Sequence, residues 1–260
     1  MANPKIAGLA HDRRLVDLAS NVLRSLAVPF RATLFAKGGR ANWLVSWHQD
    51  ISLPLAVRVN CPEWGSWSIK AGMLCANAPA WAMARVVALR ICLDESTADN
   101  GPLRVIPGSH DAGVLSPEAI CDWVRRSEPV SCLVPRGGIV VMRPLLIHGS
   151  SRALVDLPRR VIHVEHAERF HLPSGHTIAP GVTQLNVQGA VRPTRRFTGL
   201  SRKISRTRQD DLIQEVGLQT ALSQRAPRAA EIAANVGGFW QDGVALESIK
   251  VGRFDIRRGL

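Results

Sequence analysis

The sequence predicts a mainly β domain of antiparallel strands, arranged as a sandwich, barrel or jelly roll. Two observations predict it. Short runs rich in β-branched and large apolar residues recur between residues 30 and 166, each broken by Gly, Pro, Asn or Asp. Helix signals between them are few, and no apolar run approaches the ~20 residues that a membrane span needs.

The elements follow in order. An amphipathic helix is expected over 12–27, where Val16, Ala19, Leu23 and Leu26 recur on one face, with Pro29 as its stop. Strands are expected at 30–37, 48–60, 84–95, 103–106, 130–134, 138–147 and 159–166. One helix interrupts them. Ser116-Pro117-Glu118 reads as an N-cap, a proline at the first helical position and an acid in the first turn, running to Arg126. Pro135-Arg136-Gly137-Gly138 reads as a tight turn. Residues 61–81, rich in Gly, Pro and Ala, read as a long loop.

The chain has 260 residues and a formal net charge of +12, and 46% of its residues are hydrophobic. That composition excludes wholesale disorder and a disulfide-stapled mini-protein. The charge is uneven. Residues 1–190 hold 20 basic and 14 acidic groups, and residues 191–260 hold 13 and 7, so the short C-terminal part supplies half the excess. The reading is therefore a domain over 1–180 followed by a basic extension over 181–260. A basic linker falls at 190–210, and one or two helices fall within 210–235. The extension reads as a tail, a small helical appendage or the product of a shifted reading frame. The five cysteines (61, 75, 92, 121, 132) form no CxxC pair, which fits free thiols in a reducing cytoplasm. The N-terminus lacks a basic region followed by an apolar stretch, so no signal peptide is expected.

The chemistry-bearing run is Trp47-His48-Gln49-Asp50. On an extended strand alternate side chains share a face, so His48 and Asp50 point together. His148, at the end of the apolar run through Leu145-Leu146-Ile147, suits the third position on a returning strand. Two histidines and one carboxylate with open positions form the facial triad of non-haem Fe(II) oxygenases. Taken singly, each of these residues has an ordinary structural explanation. His163-x-Glu165 offers the same strand geometry as His48-x-Asp50, while His166, His171 and His176 follow too closely to come from a separate returning strand. His110, in a Pro-Gly-Ser-His turn, reads as a loop hydrogen-bonder. Arg159 opens an apolar strand eleven residues after His148, and a guanidinium there is suited to clamp a carboxylate. Its neighbour Arg160 should face solvent.

Three segments carry a family resemblance. They are NWLVSWHQD (42–50), LRICLDESTADNGPLRVIPGSH (89–110) and MRPLLIHGSSRALVDLPRRVIHVEHA (142–167). Together they resemble the phytanoyl-CoA dioxygenase family, over roughly residues 15–178. The resemblance implies a double-stranded β-helix (jelly roll, cupin-like) with flanking helices. It also implies the cofactors Fe(II) and 2-oxoglutarate, with O₂ as the second co-substrate. By that resemblance His48, Asp50 and His148 hold the iron. Arg159 takes the distal carboxylate of 2-oxoglutarate, with Ser150 as a hydrogen-bonding helper. The implied reaction hydroxylates a C–H bond of a small organic substrate and releases succinate and CO₂. A carboxylate at Asp50, where halogenating relatives carry a small residue, favours hydroxylation.

Five of the seven tryptophans (43, 47, 64, 67, 81) flank the first two candidate ligands, and Trp64, Trp67 and Trp81 are expected in a substrate wall. Lys37 and Asn42, just upstream, can approach the site. Two other readings stay open: a metal-binding jelly roll that has lost turnover, and nucleic-acid binding through Arg192 to Arg208. The second is disfavoured, because no zinc finger, RNA-recognition signature or helix-turn-helix is evident.

Overall fold

The computed structural model describes residues 4–38, 41–58, 60–70, 72–172, 175–179, 185–188 and 249–253. Two short helices lead, α1 (Pro4–Ala10) and α2 (Arg13–Leu23). Asp12 caps α2 by accepting from the Arg14 N–H. The helix stops at Arg24, which turns left-handed (φ 54°) and sends its N–H to the Ser20 carbonyl. The stop therefore comes five residues before Pro29, and Leu26 lies exposed beyond it.

Strand β1 (Val28–Lys37) follows, then β2 (Val45–His48) and β3 (Ser52–Pro54). The single strand expected over 48–60 is thus two short ones in different sheets. The break falls where the Asp50 N–H leaves its neighbours to donate to the Pro144 carbonyl at 2.9 Å. The expected loop at 61–81 holds β4 (Gly65–Lys70), β5 (Met73–Asn77) and the start of the short α3 (Ala80–Met83). Then come β6 (Val86–Cys92), β7 (Leu103–Val105), α4 (Pro117–Arg126), β8 (Val130–Cys132), β9 (Gly138–Met142), β10 (His148–Ser150) and β11 (Arg159–Ala167). The helix expected after Ser116 is α4, and the Ser116 hydroxyl accepts from the Ala119 N–H as a cap should. Two further strands, β12 (Leu185–Gln188) and β13 (Ile249–Arg253), come from the basic extension. The expected linker at 190–210 and helices within 210–235 lie outside the described residues, and with them the nucleic-acid reading.

The strands form a six-stranded sheet, β12-β1-β11-β6-β9-β13, and a four-stranded sheet, β2-β10-β7-β8. From β6 to β11 the chain winds between them: β6 in the large sheet, β7 and β8 in the small, β9 in the large, β10 in the small, β11 in the large. This winding is the double-stranded β-helix that the resemblance implied. A third sheet, β3-β5-β4, lies beside them.

Strand alternation divides the large sheet into two unlike faces. Ala32, Leu34, Val87, Leu89, Ile91, Ile139, Val141, Ile162 and Val164 form one buried cluster with Ile6 and Leu9 of α1 and Leu15 and Ala19 of α2. Burying each such aliphatic side chain contributes about 1.5–3 kcal/mol. The alternate residues face the small sheet. There Ala88, Cys92, Val140, Met142 and Val161 pack with Leu103, Val105 and Cys132. The outer side of the small sheet is closed by α4, where Trp47 and Trp123 pack around Ile106, Ile120 and Ile147. Among the described residues no helix is long and apolar enough to cross a membrane.

One polar residue sits on the helix side of the large sheet. His166 of β11 shares the parity of Ile162 and Val164 and is fully buried, with only the backbone of Ala10 and Val164 as polar neighbours that favour its charged form. Burial pushes its imidazole down to about 4. The unfolded chain, with an ordinary imidazole near 6.5, binds more protons than the folded one between those values. Stability contributed by neutral His166 is therefore complete above about pH 6.5 and falls as the pH drops toward 4. Chemical denaturation at pH 7, 5.5 and 4.5 should show wild type losing stability faster than His166→Leu. The difference should approach about 3 kcal/mol across the window.

Candidate functional site

The site assembles where two strands of the small sheet end. His148 opens β10 and pairs across to His48, the last residue of β2, and on its other side to Val105 of β7. The two imidazoles face each other with centroids 4.3 Å apart. Asp50 completes the group. One carboxylate oxygen lies 3.7 Å from His48 Nε2 and the other lies 3.5 Å from His148 Nε2. One donor atom from each residue lies within 4.8 Å of the other two.

Local bonding prepares these donors. His48 Nδ1 lies 2.8 Å from the Ser46 carbonyl, and His148 Nδ1 lies 2.8 Å from the Leu146 carbonyl. A carbonyl only accepts, so each Nδ1 carries the ring proton and each Nε2 presents a lone pair to the centre. Burial pushes His148 down to about 4, keeping it neutral. Burial opposes ionisation of Asp50, yet nearby positive charge, from the imidazoles of His148, His163 and His48 once protonated and from the Arg31 guanidinium, holds it down to about 2. Gln49, between the two donors, points the other way. Its amide donates to the carbonyls of Gly113 and Leu145 and its oxygen accepts from the Leu115 N–H, which fixes the strand on both sides. Three neutral or anionic donors on one side, with His48 and Asp50 still partly exposed, suit a divalent cation with open positions.

Cations gather on the inner face of the large sheet, in the chamber between it and the small sheet. Lys37 of β1 and Arg159 of β11 are register partners, both almost fully buried. The Lys37 ammonium donates to Ser150 Oγ and to the Ser151 carbonyl and sits 5.4 Å from the Trp43 ring centroid. Ser150 in turn donates to the Gly101 carbonyl at 3.3 Å. Gly101 is positive in φ (70°), and a Cβ there would lie 2.6 Å from the Ser151 carbonyl, so this approach requires glycine. Arg159 leaves Nε buried without a hydrogen bond. That orphaned donor, beside a buried ammonium, fits an anionic ligand.

The other expected residues fall elsewhere. Arg160 does not face solvent: its guanidinium grips both Asp94 oxygens at 2.7 Å, and its N–H also donates to Asp94. Asn42 staples the loop after β10 through both polar atoms to Ala153. Trp64, Trp67 and Trp81 pack in the cluster around Leu53, Leu55 and Ala76. Within it Trp64 stacks 4.2 Å from the His176 ring. Their place is that packed end of the molecule, because β3, β4 and β5 need an apolar cover. His110 pairs with Asp111 at 3.3 Å, and His171 contacts the Thr177 hydroxyl. His163 and Glu165 stand on the inner face of β11 and are not members of the three-donor group. Two residues escape the motif reading, the half-buried Arg31 and the buried Arg90. The signal for Arg90 is in the sequence: one arginine within Val86–Cys92, a strand buried at every position.

Comparison with known proteins gives the family of the chain. The sequence model of the phytanoyl-CoA dioxygenase family matches residues 2–161. The chain belongs to that family. Ectoine dioxygenase of Sphingopyxis alaskensis is 25% identical over 179 residues, which is 60% of this chain and 52% of that protein. The chain thus spans about half the length of that curated relative. Among solved structures, AviO1 of Streptomyces viridochromogenes Tue57 is 28% identical with a TM-score of 0.45, over 64% of this chain and 60% of that one. EctD of S. alaskensis with bound Fe is 24% identical with a TM-score of 0.49, over 68% and 56% respectively.

Arg31 and Glu165 form a two-pronged buried ion pair, and Arg31 also donates to the Ser52 carbonyl two residues past Asp50. Burial raises Glu165 and Arg31 opposes it. Removing one partner strands the other charge in the interior. Glu165→Ala should cost about 3–5 kcal/mol in urea unfolding, while Arg31→Met with Glu165→Leu should recover most of it.

Proposed function

We propose that the chain is an Fe(II)- and 2-oxoglutarate-dependent dioxygenase that hydroxylates a C–H bond of a small organic substrate, releasing succinate and CO₂. One observation carries the reading. Arg159, whose Nε is unsatisfied among the described residues, is the register partner of Lys37, and Lys37 donates to Ser150, two residues past His148 of the His48–Asp50–His148 group. A metal and an organic anion would therefore be neighbours. Membership of the phytanoyl-CoA dioxygenase family and similarity to a protein named ectoine dioxygenase support it.

Each residue has a definite task. His48, Asp50 and His148 hold the cation through Nε2, a carboxylate oxygen and Nε2. Arg159 and Lys37 bind the distal carboxylate of 2-oxoglutarate, and Ser150 holds the Lys37 ammonium in place. Fixing the co-substrate at both ends removes its rotational freedom before reaction. When bound, iron supplies O₂ activation coupled to oxidative decarboxylation of the 2-oxo acid. The backbone carbonyls of Ser46 and Leu146 keep both imidazoles in the tautomer that can ligate. The partly exposed side of His48 and Asp50 is where substrate and O₂ approach. The five free cysteines are consistent with work in a reducing cytoplasm.

The reading is tested by succinate release. With Fe(II), 2-oxoglutarate, O₂ and a screen of small organic substrates, the protein should form succinate faster with a true substrate. His48→Ala should reduce that rate by about a hundredfold or more. Equal rates from the two proteins with such a substrate would end the proposal.

A further inference from the structure

The inner face of the large sheet holds more positive charge than one clamp requires. Lys37, Arg159 and Arg90 lie on three adjacent strands, β1, β11 and β6, and are 2%, 3% and 7% exposed. None of the three forms an ion pair among the described residues. Lys37 has the Ser150 hydroxyl and the Ser151 carbonyl. Arg159 has an orphaned Nε. Arg90 makes one side-chain hydrogen bond, from Nη1 to His163 Nδ1 at 3.1 Å, and lies 5.1 Å from the Phe35 ring centroid. Buried cations without counter-charges are strongly unfavourable, so the chamber is built to be completed by anions.

Arg90 stands at a different place from the other two. Along the inner face of β11 run Arg159, Val161, His163 and Glu165. Lys37 is the register partner of Arg159 at one end, whereas Arg90 is the register partner of His163 toward the other. That second end is the metal end. Arg31, the register partner of Glu165, binds that carboxylate and also the Ser52 carbonyl, two residues past Asp50. The Arg90 charge is felt at Lys37 and Arg159 on one side and at His148 on the other. Its bond to His163 also sets that ring. Arginine only donates, so His163 Nδ1 accepts and the ring proton sits on Nε2, 4.0 Å from Glu165 Oε2. His163 and Phe35 thus hold the Arg90 guanidinium, and neither neutralises it.

We propose that Arg90 is a second anion-binding residue of this chamber. It receives the carboxylate of the 2-oxo acid head beside the metal group, while Arg159 and Lys37 receive the distal carboxylate. His163 is its positioning residue. The inference rests on the Fe(II)/2-oxoglutarate reading above and adds a division of labour between the two guanidiniums.

The test uses the full-length Fe(II)-loaded protein without oxygen, titrated with 2-oxoglutarate and with pyruvate, which has the 2-oxo acid head but no distal carboxylate. Binding is read from the weak visible charge-transfer band, independently of turnover. Arg159→Gln should weaken 2-oxoglutarate by about tenfold or more and leave pyruvate within about threefold. Arg90→Gln should weaken both acids by about tenfold, and Arg90→Lys should recover part of the loss for both. A folded Arg90→Gln that binds pyruvate as wild type does would overturn the proposal. So would a crystal structure of wild type with metal and 2-oxoglutarate in which the Arg90 guanidinium lies beyond about 4 Å from both carboxylates. That second result does not depend on any variant folding. If wild type itself gives no 2-oxoglutarate-dependent band, the dioxygenase reading fails and this inference fails with it. A normal wild-type band with an unchanged Arg90→Gln removes only the role of Arg90.

Discussion

Strand register in the large sheet is the constraint on which the remaining structure depends. Along β1, β6 and β11 every second side chain goes under the helices and every other one goes inward. The helix side takes Leu34, Leu89 and Ile162. The inner side takes Lys37, Arg90, Arg159, His163 and Glu165. Slipping one strand by a single residue would drive buried charges against α1 and α2 and turn aliphatic residues into the chamber. The penalty for that slip is far larger than any single contact in the site. The apolar cluster that stabilises the fold therefore also sets where the charges stand, and positions that serve chemistry need no separate device to hold them.

The metal-binding group depends on a second, more local constraint. Both candidate histidines use Nδ1 on the carbonyl two residues earlier, Ser46 within β2 and Leu146 in the turn that leads into β10. Ring orientation is thereby tied to backbone fixed by the sheet for His48 and by that turn for His148. Gly149, next to His148, makes the close strand approach possible: a Cβ there would lie 3.0 Å from the Val45 carbonyl and 3.3 Å from the Trp47 ring. The sequence around the second histidine answers to the packing of its neighbour strand as much as to the ligand.

Much of this was legible in the residues, and the reasons differ by element. His48 and Asp50 could be placed on one face because period-two alternation is a local property, and α4 could be placed because Ser116, Pro117 and Glu118 are a local start signal. The three-stranded sheet was not legible. Its strand β4 is exposed or half-buried at every position, carries Ser66 at a positive φ of 48° and shifts register against β5, so the usual apolar alternation is missing. The tryptophans of the same region have two surroundings at once: Trp64, Trp67 and Trp81 join the cluster around Leu53, Leu55 and Ala76, and each also lines a surface cavity. Arg90 was passed over because motif reading looks for ligands and clamps. A charge inside an apolar run announces itself only when the run is known to be buried throughout.

The basic extension has a consequence for the large sheet that its charge conceals. Strand β12 lies parallel against β1, and β13 lies antiparallel against β9, so residues beyond 180 supply the outermost strand on each side. Without them, β1 and β9 would each present a row of unpaired N–H and C=O groups, which is a ready template for another chain to add to. The extension thus acts as a pair of selvedges: it moves the sheet's borders from the long β1 and the central β9 out to the short β12 and β13, and short border strands offer another chain less to pair with.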